Sequence, residues 1–319
     1  MYKLLKAFAY ALSLLPFGVL YAISTAASAL IYHVVRYRRK VVRNNLVSAF
    51  PEKPLDEIKG IERGFYQWFC DYFMETLKML SITPEKMHRH IEFRGLEQVE
   101  QCFDEGQPCA AILGHYCNWE LLSSVAIGMK RWGVADPCGK KQPEPQSSRA
   151  VMGLVYHPLY SHAADQLFLD LRQSLGGTCI PKQDILRWLV ALKRENRMSL
   201  FGYIADQAPK WENIHLWLPF LNHETPVFTG AERIIRKMQN AVFYVDMERP
   251  RRGHYVCTFR LISREPHLLP EYEVTRRFFQ MLEESIHRDP RFYLWSHNRW
   301  KRTKEEFIRR FPQLASRHL

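Results

Sequence analysis

The clearest junction between a strand and a helix in this chain is AAILGHYCNWE, at residues 110–120. Its apolar run predicts a buried strand that ends at Gly114, and a helix is expected to begin near Trp119. His115 stands at the carboxyl end of that strand, and Glu120 follows five residues later. We interpret the two as a pair in which the Glu120 carboxylate folds back and holds the imidazole. Such a pair is the minimum equipment of a general base that deprotonates a hydroxyl.

Segments of strand and helix character alternate on both sides of this junction. Short apolar runs predict strands at 91–94, 178–181, 199–205, 241–245 and 254–262. Helical spacing of apolar residues predicts helices at 41–79, 95–105, 162–175, 184–195, 230–240 and 273–286. A polar loop rich in Pro and Gly is expected at 137–149. The fold class that follows is α/β, with a central mixed sheet flanked by helices.

The charge balance predicts an anionic partner. The 319 residues carry a formal net charge of +12, and the sequence pI is about 9.4. Nucleic acid, a membrane surface or an acidic substrate would each satisfy such a surplus. A hydrophobic content of 47% is enough for one large domain or two small ones.

The cysteines predict reduced thiols in a cytosolic environment. They are scattered, mostly among apolar neighbours, and none forms a C-x-x-C pair, so neither a disulfide framework nor a zinc site is expected. Cys117 lies two residues from His115, but side chains at that spacing tend to diverge at such a junction, which argues against a nucleophile. The seven are Cys70, Cys102, Cys109, Cys117, Cys138, Cys179 and Cys257.

Residues 1–36 are predicted to anchor the chain in a membrane. No Asp, Glu, Lys or Arg occurs between Lys6 and Arg36, and about 20 apolar residues suffice to cross a bilayer core as a helix. A signal peptide fits poorly, because the apolar stretch is too long and basic residues follow it. Pro16 would kink the helix or divide it into two shorter interfacial helices. A buried hairpin of a soluble protein is the alternative.

The basic residues after this segment predict its orientation. Residues 36–40, RYRRK, outweigh Lys3 and Lys6, so the positive-inside rule places the catalytic part in the cytoplasm. The same flank is expected to hold anionic lipid, at roughly 1 kcal/mol per basic residue close to the surface. The expected organisation is an anchor at 1–36 and a cytoplasmic α/β domain at 37–319, on the inner membrane.

Several common chemistries find no support in the sequence. It contains no P-loop, no G-x-G-x-x-G, no G-x-S-x-G and no H-E-x-x-H. His157, His162 and Asp165 are weak metal candidates, since scattered histidines are more often surface or core residues, and we expect no metal and no cofactor. The Trp and Arg content of residues 295–302 fits an interfacial membrane belt better than nucleic acid, because no RNA-binding signature accompanies it.

Several segments together resemble the late acyltransferases of lipid A biosynthesis, the lauroyl/myristoyl acyltransferase family, over nearly the whole chain. His115 and Glu120 follow a hydrophobic anchor and a basic flank, as in that family. Residues 290–301, PRFYLWSHNRWK, resemble its long closing motif, P-E-x-x-x-W-x-H-[RN]-R-[FW]-K. Shorter resemblances are RNNL at 43–46 with FPE at 50–52, YHP at 156–158, and 217–220 with Thr225 and Pro226. The chain departs from the family at His157, where an arginine is usual, and at Gln207, where some members have histidine.

The resemblance implies a glycerolipid acyltransferase-like fold and O-acyl transfer. The implied donor is an acyl–acyl carrier protein, an acidic partner that the net positive charge suits, and the implied acceptor is a phosphorylated glycolipid, a lipid A precursor. Arg172 is expected to steady the oxyanion or clamp a phosphate, and Asp206 to position Arg172 or a sugar hydroxyl. The expected catalytic residues are His115, Glu120, Arg172 and Asp206, and the expected substrate-binding residues are Tyr156, His157, Gln207 and Arg299.

Alternatives remain for the acceptor and for the arginine. Acyltransferases for a lysophospholipid or an aminolipid share the histidine–acid chemistry. A membrane-anchored lipid-binding or scaffold protein is the non-enzymatic alternative. For Arg172 and Asp206 the alternative to a functional role is a structural ion pair at the edge of the sheet.

Overall fold

A computed structural model describes residues 2–132 and 150–313. The predicted loop at 137–149 and Cys138 lie outside the described residues. Within them the fold is α/β, as the alternating pattern predicts.

The centre of the fold is a mixed seven-stranded sheet. Its order is β1-β9-β8-β2-β5-β3-β4, in which β8, β2, β5, β3 and β4 are parallel and β9 runs antiparallel to β8. A separate hairpin pairs β6 with β7. The strands are β1 Ile91–Arg94, β2 Cys109–Leu113, β3 Ala150–Tyr156, β4 Thr178–Pro181, β5 Met198–Ile204, β6 Trp217–Phe220, β7 His223–Pro226, β8 Ala241–Arg251 and β9 His254–Ser263.

Helices cover both faces of this sheet, so all five residues of β2 are buried, as expected for a central parallel strand. A 3₁₀ helix, Trp119–Ile127, follows β2, and shorter 3₁₀ turns lie at Trp211–Asn213 and Pro290–Phe292. The α-helices are α1 Tyr2–Leu14, α2 Phe17–Ala29, α3 Arg39–Ala49, α4 Leu55–Lys78, α5 Pro84–Met87, α6 Leu96–Asp104, α7 His162–Gln173, α8 Ile185–Arg194, α9 Gly230–Met238, α10 Glu273–Arg288 and α11 Lys304–Arg310.

Two of the expectations about secondary structure need correction. The single helix expected at 41–79 is two helices, α3 and α4, because Pro51 and Pro54 interrupt the backbone hydrogen bonds between them. Strand β3 is absent from the sequence-based prediction. Its Gly153 interrupts the apolar pattern, and a Cβ there would lie 1.7 Å from the Thr178 carbonyl oxygen on β4. The glycine therefore permits a close approach of two backbones instead of ending the strand.

The register of the parallel strands brings three strand ends to one edge of the sheet. Leu113 of β2 pairs with Ile204 of β5, and Tyr203 of β5 pairs with Val155 of β3. Residues that follow these strands therefore meet above the sheet. Open α/β sheets bind their ligands in such a crevice, outside the carboxyl ends of the strands.

The N-terminal segment forms two helices, which is one of the two arrangements expected from Pro16. Pro16 separates α1 from α2, and α2 continues through a π-helical turn, Leu30–Val35. Among the described residues, Phe17–Val35 is the one helix long and apolar enough to cross a membrane. It packs along α4 of the α/β fold.

Candidate active site

The loop after β2 carries His115 and is held in place by residues 292–294 of the closing motif. Leu294 donates its backbone N–H to the His115 carbonyl over 3.1 Å, and Cys117 donates to the Phe292 carbonyl over 2.9 Å. Cys117 adopts a left-handed conformation with φ of 52°. At Gly114 an added Cβ would lie 2.7 Å from the Leu282 side chain on α10, so a larger residue there would displace that side chain. The specific closing motif found in the sequence thus acts partly as a support for the histidine loop.

The closing segment is in turn held by residues at and just before α3. Asn45 donates its side-chain amide to the carbonyls of Trp295 and His297, at 2.8 and 2.9 Å. Arg38 donates to the Ser296 carbonyl over 2.9 Å. The RNNL segment and the closing motif, about 250 residues apart in the chain, therefore form one structural unit.

The imidazole of His115 is held by Asp206, which corrects the expectation that Glu120 holds it. The Nδ1 of His115 lies 2.6 Å from Oδ1 of Asp206. Asp206 is 2% exposed and follows β5 at the same offset at which His115 follows β2. Since Leu113 and Ile204 are paired in register, the two side chains emerge side by side. The Nε2 of His115 lies 3.1 Å from the Gln207 side-chain amide nitrogen.

Arg299 supports this pair from behind. Burial alone would raise the pKa of Asp206, but the imidazole of His115 and the guanidinium of Arg299 outweigh it and lower that pKa. Arg299 is 1% exposed; it donates to the Pro226 carbonyl over 2.8 Å and lies over the Phe279 ring. The expectation that Arg299 binds substrate does not fit this position, because its guanidinium is enclosed in the core.

Glu120 forms an ion pair with Arg172 and not with His115. The guanidinium of Arg172 donates from Nε to Oε2 over 2.6 Å and from Nη2 to Oε1 over 2.8 Å. Tyr72 also donates to Glu120, over 3.2 Å. Burial acts to lower the pKa of Arg172, but Glu120 outweighs burial and raises it. Asp206 therefore does not position Arg172, one of the two roles expected for it, because the 3₁₀ helix directs Glu120 to Arg172 on α7. Its other expected role, positioning a sugar hydroxyl, stays a prediction.

Trp119 contacts both the His115–Asp206 pair and the Glu120–Arg172 pair. Its indole N–H donates to Oε1 of Glu120 over 3.1 Å, and its ring meets the His115 ring edge-to-face at 4.9 Å between centroids. Trp119 therefore links Glu120 to the imidazole through its own packing.

His115 and Arg172, one residue of each pair, line one cavity of about 640 Å³. Its wall is mostly apolar, and its polar groups are cationic, amide or phenolic. Of the expected substrate-binding residues, Tyr156, His157 and Gln207 line it. The apolar part of the lining includes Leu154, Val155, Ile185, Ile204, Phe228 and Ile234, and the basic part comprises Arg172, Lys182 and the two histidines, His115 and His157.

A second cavity, of about 650 Å³, lies at the opposite end of the strands. It is lined by residues such as Lys193, Arg197 and Arg264 and contains none of the site residues expected from the sequence. The two cavities have similar volumes, so volume does not tell which is the active site. The His115–Asp206 pair does, because His115 lines only the first cavity.

His297 is a site residue that the sequence reasoning did not single out. Its Nε2 accepts the backbone N–H of Ala208, two residues after Asp206, over 3.3 Å. Burial lowers the pKa of His297 to about 4, so the ring is a neutral acceptor at physiological pH. The closing motif contained the signal, since it included this histidine, but the expectation fell on Arg299.

Among the described residues there is no accessible thiol at position 117, no disulfide and no cluster that could hold a metal ion. Cys117 is fully buried, and burial raises the pKa of its thiol well above the ordinary value. No disulfide joins the six described cysteines. Across residues 2–132 and 150–313, no group of three or more His, Cys, Asp or Glu residues is arranged to hold a metal ion.

A mixed sheet with a histidine–carboxylate pair at its parallel strand ends, beside a largely apolar cavity, has the design of an α/β acyltransferase. Comparison of the sequence with known families specifies the class. The family described as bacterial lipid A biosynthesis acyltransferase matches residues 2–302, and the chain belongs to it. This confirms the resemblance seen in the motifs.

A curated relative agrees with this family. The chain is similar to the lipid A biosynthesis lauroyltransferase of Escherichia coli (strain K12), with 21% identity over 296 residues. The match covers 91% of this chain and 88% of the relative.

Proposed function

We propose that the chain transfers a fatty acyl group from an acyl–acyl carrier protein to a hydroxyl of a lipid A precursor, with His115 as the general base. The observation that carries this proposal is the hydrogen bond between His115 and Asp206, made at the edge of an apolar cavity. Family membership supports the acyl-transfer chemistry and an acceptor of the lipid A type.

The hydrogen bonds of His115 assign its tautomer. Nδ1 faces a carboxylate, which only accepts, so Nδ1 carries the proton. Nε2 then has a free lone pair, toward which Gln207 directs its amide. An acceptor hydroxyl that displaces the Gln207 amide would donate to the same lone pair. Asp206 fixes the ring orientation and stabilises the imidazolium that forms.

The transfer balances with these groups alone. The hydroxyl oxygen forms a bond to the thioester carbonyl carbon while its proton passes to Nε2 of His115. The tetrahedral intermediate then expels the thiolate by breaking the C–S bond, and the imidazolium returns the proton to the sulfur. No covalent acyl-enzyme is needed.

Arg172 supplies the fixed positive charge of the cavity. Its two bonds to Glu120 hold the guanidinium plane, and its side chain keeps 14% of its surface exposed on the cavity side. We assign it to the developing oxyanion or to a substrate phosphate. Glu120 thereby acts as the residue that orients Arg172.

The composition of the cavity suits a lipid carrying anionic groups. Its apolar wall fits an acyl chain, and Arg172, Lys182 and His157 at its rim fit phosphate. The acidic carrier protein and anionic membrane lipid both complement the net charge of +12. The expected location is the cytoplasmic face of the inner membrane, with the N-terminal helices as the anchor.

The proposal is tested with membranes that contain the full chain. They receive a radiolabelled acyl–acyl carrier protein or the matching acyl-coenzyme A, and either a phosphorylated lipid A precursor or a lysophospholipid. We expect label in the lipid A precursor, with the carrier-protein donor preferred. Label confined to the lysophospholipid would redirect the proposal to another acceptor. No label in any lipid would favour a binding protein, and His115→Ala membranes give the background.

A further inference from the structure

We propose that helices α1 and α2 lie flat in one leaflet of the membrane, between the α/β domain and the lipid, and do not cross the bilayer. This inference rests on the proposed membrane location and decides how the chain is attached there. Length alone does not decide it. The 19 residues of Phe17–Val35 would span about 28 Å at 1.5 Å per residue, which is close to the thickness of a bilayer core.

The contacts of α2 decide against spanning. Ser28, Ser24 and Tyr21 reach in turn to Gln67, Asp71 and Glu75 on one face of α4, at 3.1, 2.5 and 3.1 Å. The two helices therefore run antiparallel and in contact over several turns. A further contact caps the end of α1, because Lys78 donates to the carbonyls of Ser13 and Leu15.

Helix α4 itself is unable to enter hydrocarbon. Its first turns carry Asp56, Glu57 and Lys59, and its Asp71 is bonded to Arg249 and Arg252 from the β8–β9 hairpin. Each such charge would cost several kcal/mol in the bilayer centre. Since α2 lies along α4, it can cross the membrane only by giving up the whole row of contacts.

The β8–β9 hairpin and α7 tie the segment down from two other directions. Arg252 donates to the Tyr21 carbonyl and to the Thr25 hydroxyl, both over 3.0 Å. At the start of α1, Lys6 pairs with Asp170 of α7 at 2.9 Å. The N-terminal helices are thus docked on the domain at both ends.

The face turned away from the domain is apolar and exposed. The buried stripe of α2 is narrow and consists of Leu20, Ser24 and Ser28. Beside it Val19, Ile23, Leu30 and Val34 are exposed and recur four or seven residues apart, and α1 adds Leu4 and Phe8, which are 77% and 70% exposed. A soluble monomer rarely leaves so long an apolar strip uncovered.

Charge identifies lipid as the occupant of this face. Lys3 stands near the start of the segment, and Arg36 and Lys40 stand just after it, all of them exposed. No Asp or Glu occurs before residue 52. An apolar strip with cations at both ends matches a helix in the headgroup region of an anionic leaflet, where acyl chains meet phosphates.

Topology is measured first. Lys3→Cys and, as the matched control, Lys59→Cys on the cytoplasmic domain are treated with a membrane-impermeant maleimide in intact and in lysed spheroplasts, with the unaltered chain as background. We expect both sites to be labelled only after lysis. Labelling of Lys3→Cys in intact spheroplasts, with Lys59→Cys still protected, would show that the segment spans and would overturn the inference.

The depth of the segment in the bilayer is measured second, because a cysteine variant in the first experiment could insert differently from the unaltered chain. A fluorophore at Val19, Ala26 or Val34 is quenched by spin-labelled lipids in vesicles of phosphatidylethanolamine and anionic phosphatidylglycerol. A segment lying flat predicts the same shallow depth at the three positions, whereas a spanning segment places position 26 deepest. Chain found entirely in the soluble fraction would overturn both this inference and the proposed location, while acyl transfer by that soluble chain would leave the chemistry standing.

Discussion

Asp206 and Glu120 are two buried carboxylates at the same edge of the sheet, yet they hold different kinds of partner. Asp206 binds a titratable imidazole through one 2.6 Å contact, whereas Glu120 binds a guanidinium in a bidentate fork at 2.6 and 2.8 Å. A histidine can take and return a proton near neutral pH, and an arginine cannot. In the proposed mechanism the two pairs therefore divide the work, with proton transfer at His115 and fixed charge at Arg172.

The comparison also shows that closeness in the sequence does not decide which carboxylate holds His115. Glu120 is five residues from His115 but is turned away by the 3₁₀ helix, whereas Asp206 is 91 residues away and adjacent. Closeness at a parallel sheet edge is set by strand register, here Leu113 against Ile204.

The largest expected effect comes from removing the base. His115→Ala should lower single-turnover acyl transfer by about 10²–10⁴-fold, the usual worth of general-base catalysis. The chain should remain folded and membrane-bound, because the ring is at the border of the cavity. His88→Ala, which removes an exposed histidine, serves as the control. Near-normal turnover by His115→Ala would show that His115 does not transfer the proton.

The next effect sharpens the role of Asp206. Asp206→Asn keeps the shape of the side chain but removes the charge that stabilises the imidazolium, so we expect a loss of about 10²-fold or more. Asp246→Asn is the matched control, since Asp246 is also buried and bonded to an arginine, Arg288. That control should cost stability but keep its activity per folded molecule. Equal activity losses in the two variants would reduce Asp206 to a structural residue.

A smaller effect tests the fixed-charge pair. Arg172→Lys should lower acyl transfer nearly as much as Arg172→Ala, by about 10- to 100-fold, because an ammonium does not reproduce the fork to Glu120. Both variants should also melt earlier, since a buried Glu120 loses its partner. The exchange Arg187→Lys, at an arginine that is 85% exposed in an ion pair, should change neither property. Full activity per folded molecule in Arg172→Ala, which removes the charge, would make this pair purely structural.

The smallest effect concerns His297 and pH. Its pKa of about 4 in the folded chain lies below the usual value of an unfolded histidine, about 6.5. The unfolded state therefore binds more protons between these values, and stability falls as the pH drops below about 6.5. His297 should contribute about 1–2 kcal/mol of the loss between pH 7 and pH 5.

Denaturant unfolding at several pH values measures this contribution. His297→Gln retains an acceptor for the Ala208 N–H but does not titrate, so its stability should depend less on pH by that amount. Identical pH dependence in the two proteins would show that the ring is not held neutral.

The fold class and part of the site were predictable from the sequence. The apolar run at 110–113, the helical spacing of 273–286 and the β8–β9 hairpin each carry a local signal, and the structure confirms them. No local sequence signal identifies Asp206 as the partner of His115, because their contact depends on which strands are neighbours in the sheet. The same is true of Arg299, whose position behind Asp206 follows from the path of the closing segment rather than from its own residue type.

Two features of the N-terminal half were only partly predictable. Pro16 marked the break between α1 and α2, but the row of Ser28, Ser24 and Tyr21 against α4 depends on a tertiary contact. Strand β3 was not predicted because Gly153 interrupts its apolar pattern. The structure shows that the glycine is there to allow the close approach of β4.

A double-mutant cycle tests the central claim, that Asp206 acts through His115 whereas Glu120 acts through Arg172. Single-turnover acyl transfer is measured for Asp206→Asn and Glu120→Gln, each alone and combined with His115→Ala. The account predicts that Asp206→Asn lowers the rate by less than about threefold once His115 is absent, while Glu120→Gln keeps most of its effect. If Asp206→Asn retains its full effect without His115 and Glu120→Gln loses its own, Glu120 orients the base and the account is contradicted.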